Sequence, residues 1–413
     1  MNYVVILIVQ IAVILIAARL FGFLFKWIWQ PQVIGEMVAG ILLGPSLLGW
    51  AAPGISAALF PPASLSYLNT LSQIGIVIYI FLVGLALNPK DLKRFGRAAL
   101  VTSNVSIIVP FTLGAMLALY LYPRLSNDTV SFTSFALFMG AAMSITAFPV
   151  LARILKDRNM LDTKLGMLAI ACAAVDDVTG WCILAYIVVM VRAQPGTQHL
   201  WLNLAGLTLF TLLMFYGVRP LLRRFYAAYR QRGSLSENAV ALLLLVVLAS
   251  ALATERLGVH LLFGAFLAGV VMPKEADFVR HILDKFESLT VVLLVPLFFA
   301  FTGLRTSIGM IHGGRMWLYC GAIIVVAITG KLGGSMLAAR ASGVSWNEAA
   351  GLGILLNTRG LMQLLILNIG LDIGVISPAL FAMMVLMALV TTFMTTPMLE
   401  WICPQHRLPR ENV

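Results

Sequence analysis

Asp176 and Asp177 stand side by side at the centre of the apolar run "MLAIACAAVDDVTGWCILAYIVVMV", residues 167–191. On an insertion scale each aspartate at mid-bilayer costs roughly 2.5–3.5 kcal/mol, so intramembrane acids mark function by default. Consecutive helical residues point about 100° apart, and the two carboxylates therefore face different neighbours. Cations at similar depth are few: Lys331 in "AIIVVAITGKLGGSMLAAR" and Arg359 in "GILLNTRGLMQLL". Arg19 lies near the end of its run, where it can snorkel. Lys331 matches the aspartates in depth, which predicts an Asp176–Lys331 pair and an Asp177 that faces a cavity. The alternative, a purely structural bridge with both acids locked, leaves one carboxylate without a counter-charge. The two acids are expected to titrate as one coupled unit. At the end of a watery cavity, such a carboxylate holds either a proton or a small hard cation, and hard cations prefer oxygen ligands.

Those oxygens must come from elements that place them at the same depth. Span five carries "GAAMSITAFPVLARIL", in which Pro149 lacks a backbone N–H and disfavours helix at Phe148. Span twelve carries Asn357, Thr358, Arg359 and Gly360 in mid-run. Both read as interrupted helices, and non-helical backbone at membrane depth survives only inside protein or beside a watery cavity. The hydroxyls of Ser144 and Thr146, with carbonyls freed by the break, are the expected cation ligands. Arg359 is expected to offset the exposed carbonyl end of a broken helix. Glu36, near the start of span two, reads equally as an interfacial carboxylate or as part of an entry funnel.

The rest of the chain is membrane scaffold. Hydrophobic residues make up 61% and charged residues 11%, with mean hydropathy +0.96, which gives an all-α polytopic membrane protein. Apolar runs near 3–25, 33–49, 66–87, 97–121, 131–154, 164–191, 200–222, 236–255, 259–277, 288–304, 316–340, 346–370 and 375–401 predict about thirteen spans. The net charge of +11 does not indicate nucleic acid, because the basic residues cluster between apolar runs. "NPKDLKRFGR", "RILKDRNMLDTK", "RRFYAAYRQRG" and "PKEADFVRHILDK" all follow odd-numbered spans, and the intervening loops are poor in Lys and Arg. This places the N-terminus outside and the C-terminus in the cytoplasm of a cell membrane. The whole of 1–413 is expected to be one transport domain, with 402–413 a short cytoplasmic tail and no nucleotide-binding module. The first apolar run reads as a retained span. The four cysteines and five histidines show no metal-ligand spacing. With no nucleophile–base pair either, neither an enzyme nor a cofactor is expected.

The chain also resembles itself. "AGILLGP" (39–45) is similar to "AGVVMP" (268–273), and "FLVGLALNP" (81–89) to "FAFTGLRTS" (299–307), both seven spans apart. An odd offset reverses direction across the bilayer, the plan of inverted-repeat transporters. The expected halves are 33–192 and 259–401, joined by connecting spans in 193–258. Span five should then correspond to span twelve.

"SITAFPVLARIL", "AAVDDVTGW", "GAFLAGVVMPKE", "LNTRGLMQLLILNIG" and "FAMMVLMALVTTFMTTPM" together resemble the monovalent cation:proton antiporters of the second superfamily branch. The likeness is to plant cation/H⁺ exchangers and their bacterial relatives and runs from about residue 31 to 401. It implies a homodimer with a dimerisation domain and a six-helix core, broken helices that cross in that core, and elevator-like alternating access. It implies that Asp177 is the cation- and proton-carrying aspartate, Asp176 the preceding acid and Lys331 the lysine that pairs with it. Two acids with the lysine suggest electrogenic exchange in this family, whereas the other strings lean toward its potassium-exchanging branch. The expected function is Na⁺ or K⁺ exchange for H⁺, with a passive cation channel and a sodium-coupled solute transporter as rivals. A membrane sensor is disfavoured by the absence of an output domain in the sequence.

Overall fold

The computed structural model describes residues 3–87, 96–126, 130–161, 163–192, 198–232 and 235–402. Most of the basic segment after span three and the tail with Cys403 and His406 lie outside the described residues, as does the side chain of His199. The described chain is helical throughout. In order it forms α1 (Tyr3–Trp27), α2 (Gln32–Leu43), α3 (Pro62–Ala86), α4 (Gly96–Leu125) and a split fifth span, α5a (Phe132–Ser144) and α5b (Phe148–Asp157). Then come α6 (Lys164–Arg192), α7 (Gln198–Leu213, extended by Arg219–Arg232), α8 (Glu237–Arg256) and α9 (Leu261–Val271). The chain ends with α10 (Ala276–Leu289 and Val295–Leu304), α11 (Gly313–Ile328 and Gly334–Ala341), α12a (Trp346–Leu356), α12b (Leu361–Asp372) and α13 (Pro378–Ile402).

Among these residues eleven helices are long and apolar enough to cross a bilayer, or twelve with the bent α12a–α12b pair counted as one. The expected total of thirteen is therefore not reached on length. Span nine is the shortfall, since α9 has 11 residues, about 16 Å of helix against a hydrocarbon core of roughly 30 Å.

The local causes are ordinary. Ser131 caps α5a by accepting the Ser134 N–H, and Ser345 caps α12a by accepting the Glu348 N–H while donating to its carboxylate. Among the described residues three spans contain a wide turn of five residues, at Met214–Val218 in α7, Thr290–Leu294 in α10 and Thr329–Gly333 in α11. The last contains Lys331. Such π-turns collect at functional positions because they re-aim a side chain.

The chain divides into two compact units. One comprises Met1–Ile11, Phe60–Pro89 and Ala185–Phe301. Within it α9 packs closely along α3, and a methyl on Gly84 would strike the Phe266 carbonyl while one on Gly269 would strike the Phe81 carbonyl. The other comprises Ala12–Leu59, Lys90–Leu184 and Thr302–Val413. Within it a methyl on Gly303 would run into the backbone of Gly40. This second unit holds both broken spans and the buried charges Asp176, Asp177, Lys331 and Arg359.

Candidate functional site

The break in span five spans Ile145, Thr146 and Ala147, which leave the helix between α5a and α5b. Phe148 and Pro149, expected in the interruption itself, are instead the first residues of α5b. The physical reason is that the first turn of a helix has no use for a proline N–H, so Pro149 starts α5b rather than breaking it. In span twelve Asn357–Gly360 do form the interruption, and α12a and α12b are bent by 41°. The two breaks meet: the Ala147 N–H donates to the Thr358 carbonyl at 3.1 Å, and Thr146 Oγ1 lies 3.0 Å from the Leu356 carbonyl. A Cβ on Gly360 would sit 2.5 Å from a Val150 methyl, so any larger residue would push α12b and α5b apart or displace that side chain.

A helix that stops inside a membrane leaves its last carbonyls without N–H partners. At the end of α5a these carbonyls are taken by two cations. Arg359 donates to the carbonyls of Ala142, Met143 and Ile145, and Lys331 donates to that of Ser144. Both side chains are 0% exposed. Positive charge at a helix C-terminus is the favourable arrangement for the helix dipole. Arg359 thus sits where a charge is needed to offset α5a, and its own N–H and carbonyl are held by Thr392 Oγ1 at 3.0 and 2.7 Å.

Asp176 is the centre of this network. Its carboxylate lies 2.7 Å from Lys331 Nζ, 2.7 Å from Thr146 Oγ1, 2.8 Å from Ser103 Oγ and 3.0 Å from Ser106 Oγ. A buried ion pair is tolerated only when its remaining donors and acceptors are satisfied, and here they are. The third ammonium proton of Lys331 goes to the Ser106 carbonyl at 2.9 Å. That carbonyl is free because the residue four positions on, which would close the helical bond, is Pro110 within α4.

Asp177 is the opposite case. It is 0% exposed, and among the described residues neither carboxylate oxygen has a hydrogen-bond partner in ordinary geometry. The Phe148 amide at the head of α5b is the backbone donor that bears on it, and a helix N-terminus favours negative charge. The expectation of an Asp177 open to a watery cavity is not met in this conformation, in which the acid is closed off. The hydroxyls expected to join it do not. Thr146 serves Asp176, and Ser144 Oγ donates to the Ala141 carbonyl at 2.9 Å. Both are anchored to other partners by the need of a buried hydroxyl to place its proton.

Sequence reading missed Ser103 and Ser106. Their spacing of three on an apolar helix, with a proline four residues beyond, is the signal that could have found them. Glu36 is buried on α2, where Arg153 and Arg19 are the charges that act on it. Arg153 itself donates to Gln32 at 2.8 Å.

Broken spans that meet in mid-membrane around a buried acid pair define the sodium/proton antiporter fold. A solved sodium proton antiporter from Methanocaldococcus jannaschii, MjNhaP1, superposes with a TM-score of 0.64 over 96% of each chain at 15% identity, a likeness of fold alone. The family model described as sodium/hydrogen exchanger, transmembrane, matches residues 11–403, and the chain belongs to this family. It is 42% identical to the Na(+)/H(+) antiporter NhaS4 of Synechocystis over 98% of both chains. It is also 42% identical to Cation/H(+) antiporter 17 of Arabidopsis thaliana and 32% identical to K(+)/H(+) antiporter 1 of Saccharomyces cerevisiae. It covers 95% and 96% of itself in those matches but spans only 48% and 46% of the two relatives.

Proposed function

We propose that the chain exchanges a monovalent cation, Na⁺ or K⁺, for protons by alternating access, with Asp177 as the seat that the two occupy in turn. The observation that carries this reading is the bareness of Asp177. A carboxylate to which no side chain donates keeps room on its oxygens, and it can either bond a proton or coordinate a cation, not both together. Asp176, held by Lys331 and three hydroxyls, is the fixed charge that keeps the seat's surroundings constant. Arg359, together with the contacts of Thr146 and Ala147 with Leu356 and Thr358 and of Gly360 with Val150, holds the breaks in place. Because Asp177 is closed off here, exposure to each side requires movement of the surrounding helices. The relatives named for Na⁺/H⁺ and for K⁺/H⁺ exchange support the reaction class and leave both ions as candidates.

The proposed frame is an inverted repeat, 33–192 against 259–401. Two glycine contacts support it: Gly40 against Gly303 joins spans two and ten, and Gly269 against Gly84 joins spans nine and three. An offset of seven spans turns the first pair into the second. The proposed setting is a homodimer in a cell membrane, with the basic loops and the C-terminus in the cytoplasm.

The test is dye-detected proton movement in proteoliposomes, with Na⁺, K⁺ and Li⁺ gradients across pH, with and without a clamped voltage. Wild type should move protons when a cation gradient is imposed, and Asp177→Asn should not, while remaining folded. Exchange retained in Asp177→Asn removes this acid from the mechanism. Cation flux without obligatory proton movement replaces the reading with that of a passive channel.

A further inference from the structure

Lys274 lies outside the acid pair's unit, in the turn between α9 and α10, and is partly buried. Its ammonium makes three hydrogen bonds of 2.8 Å each, to the carbonyls of Gly84, Leu85 and Gly269. These carbonyls belong to the C-terminal turns of α3 and α9, at the place where Gly84 and Gly269 bring the two backbones together. Among the described residues no carboxylate takes part. One charged group therefore caps two helices at once, and all three of its protons are committed.

We propose that Lys274 is a positioning residue whose ammonium ties the ends of spans three and nine together and whose deprotonation releases them. The chemistry is a matter of counting donors. An ammonium has three N–H groups for three carbonyls. A neutral amine has two, and its lone pair must then face the third carbonyl, leaving a half-buried acceptor without a partner. Burial and the neighbouring Arg219 guanidinium bring Lys274 down to about 7. The tie is accordingly complete below about pH 7 and is lost as the pH rises through that value.

Few other charges face this group. The described part of α3 carries no charged side chain, and neither does α9. Glu237 opens α8 and is exposed; Glu255, at the far end of α8, accepts the Leu261 N–H at the opposite end of α9. On α10, Asp277 is exposed, and its carbonyl and the Tyr229 hydroxyl hold His281. The other half of the chain makes the equivalent tie differently. There the residue after the matching proline is Ser46, which donates to the Thr306 carbonyl at 2.7 Å and accepts the Ile308 N–H at 3.1 Å. That tie is neutral and does not titrate. Of the two ties, only the one made by Lys274 senses pH.

The experiment is amide hydrogen exchange of the full chain in detergent or liposomes, corrected for the intrinsic pH dependence and read at residues 84–87 and 269–272. Wild type should lose about tenfold protection there between pH 6 and pH 9, as the ammonium gives up its third donor. Lys274→Met should be unprotected at both pH values, and Lys274→Arg should stay protected across the range. Wild-type protection that is flat with pH, or a Lys274→Met profile equal to wild type, overturns the proposal. In the flux assay Lys274→Arg should move the alkaline limb of the pH profile upward. This readout rests on the antiport reading, but hydrogen exchange does not. Even in a chain that moves no cations, exchange protection still reports whether Lys274 makes the tie.

Discussion

The two faces of α6 meet at adjacent residues and could hardly differ more. On one face Asp176 is surrounded by Lys331, Ser103, Ser106 and Thr146, every one within hydrogen-bond reach. On the other, Asp177 is equally buried, and no side chain among the described residues donates to its oxygens. One residue step of about 100° separates them. A saturated carboxylate is structure, since nothing further can bind without displacing a partner. An unsaturated one at the same depth can still take a positive ligand. The same residue type thus serves two ends, and the neighbours decide which.

That contrast can be broken in order of expected effect. Asp177→Asn should reduce cation-dependent proton movement by at least about a hundredfold, with thermal stability unchanged or raised because an unpaired buried acid has been removed. Equal loss of stability in this variant would mean that Asp177 belongs to the scaffold after all. Asp176→Asn should do the reverse and destabilise the chain by roughly 3–5 kcal/mol, measured by unfolding in detergent, because Lys331 is left buried without its counter-ion. The double variant Asp176→Leu with Lys331→Met should recover most of that loss, since a buried pair replaced by apolar groups is often neutral. Ser106→Ala should cost about 1.5–3 kcal/mol, the usual worth of a hydrogen bond to a charged group, and leave ion selectivity alone. Thr392→Val, which only releases the backbone of Arg359, should cost about 1 kcal/mol.

The same contrast explains what could be read in the sequence. Asp176, Asp177, Lys331 and Arg359 are conspicuous because charge is rare against an apolar background, and matched depth along two spans is enough to pair Asp176 with Lys331. The breaks are also visible, through Pro149 in one span and the Asn357–Gly360 cluster in the other. Their edges are less so, because a proline can start a helix as readily as stop one. Ser103 and Ser106 are hidden, since serine in a membrane helix most often packs as a small residue. The π-turn around Lys331 and the shortness of α9 leave no mark on hydropathy. Nor could sequence say that Thr146 and Ser144 commit their hydroxyls elsewhere, because hydrogen-bond partners depend on which helices meet.

Pro110 carries no charge, yet it shapes where charge can rest. A helix in lipid ordinarily closes every one of its backbone bonds, and an amine passing nearby finds no lone pair on offer. By lacking a hydrogen, this imino acid keeps one socket of α4 unfilled, and the Lys331 ammonium plugs into it. An alanine at the same position would let the helix close on itself, and the lysine would then have to compete with its neighbour's own backbone for a seat.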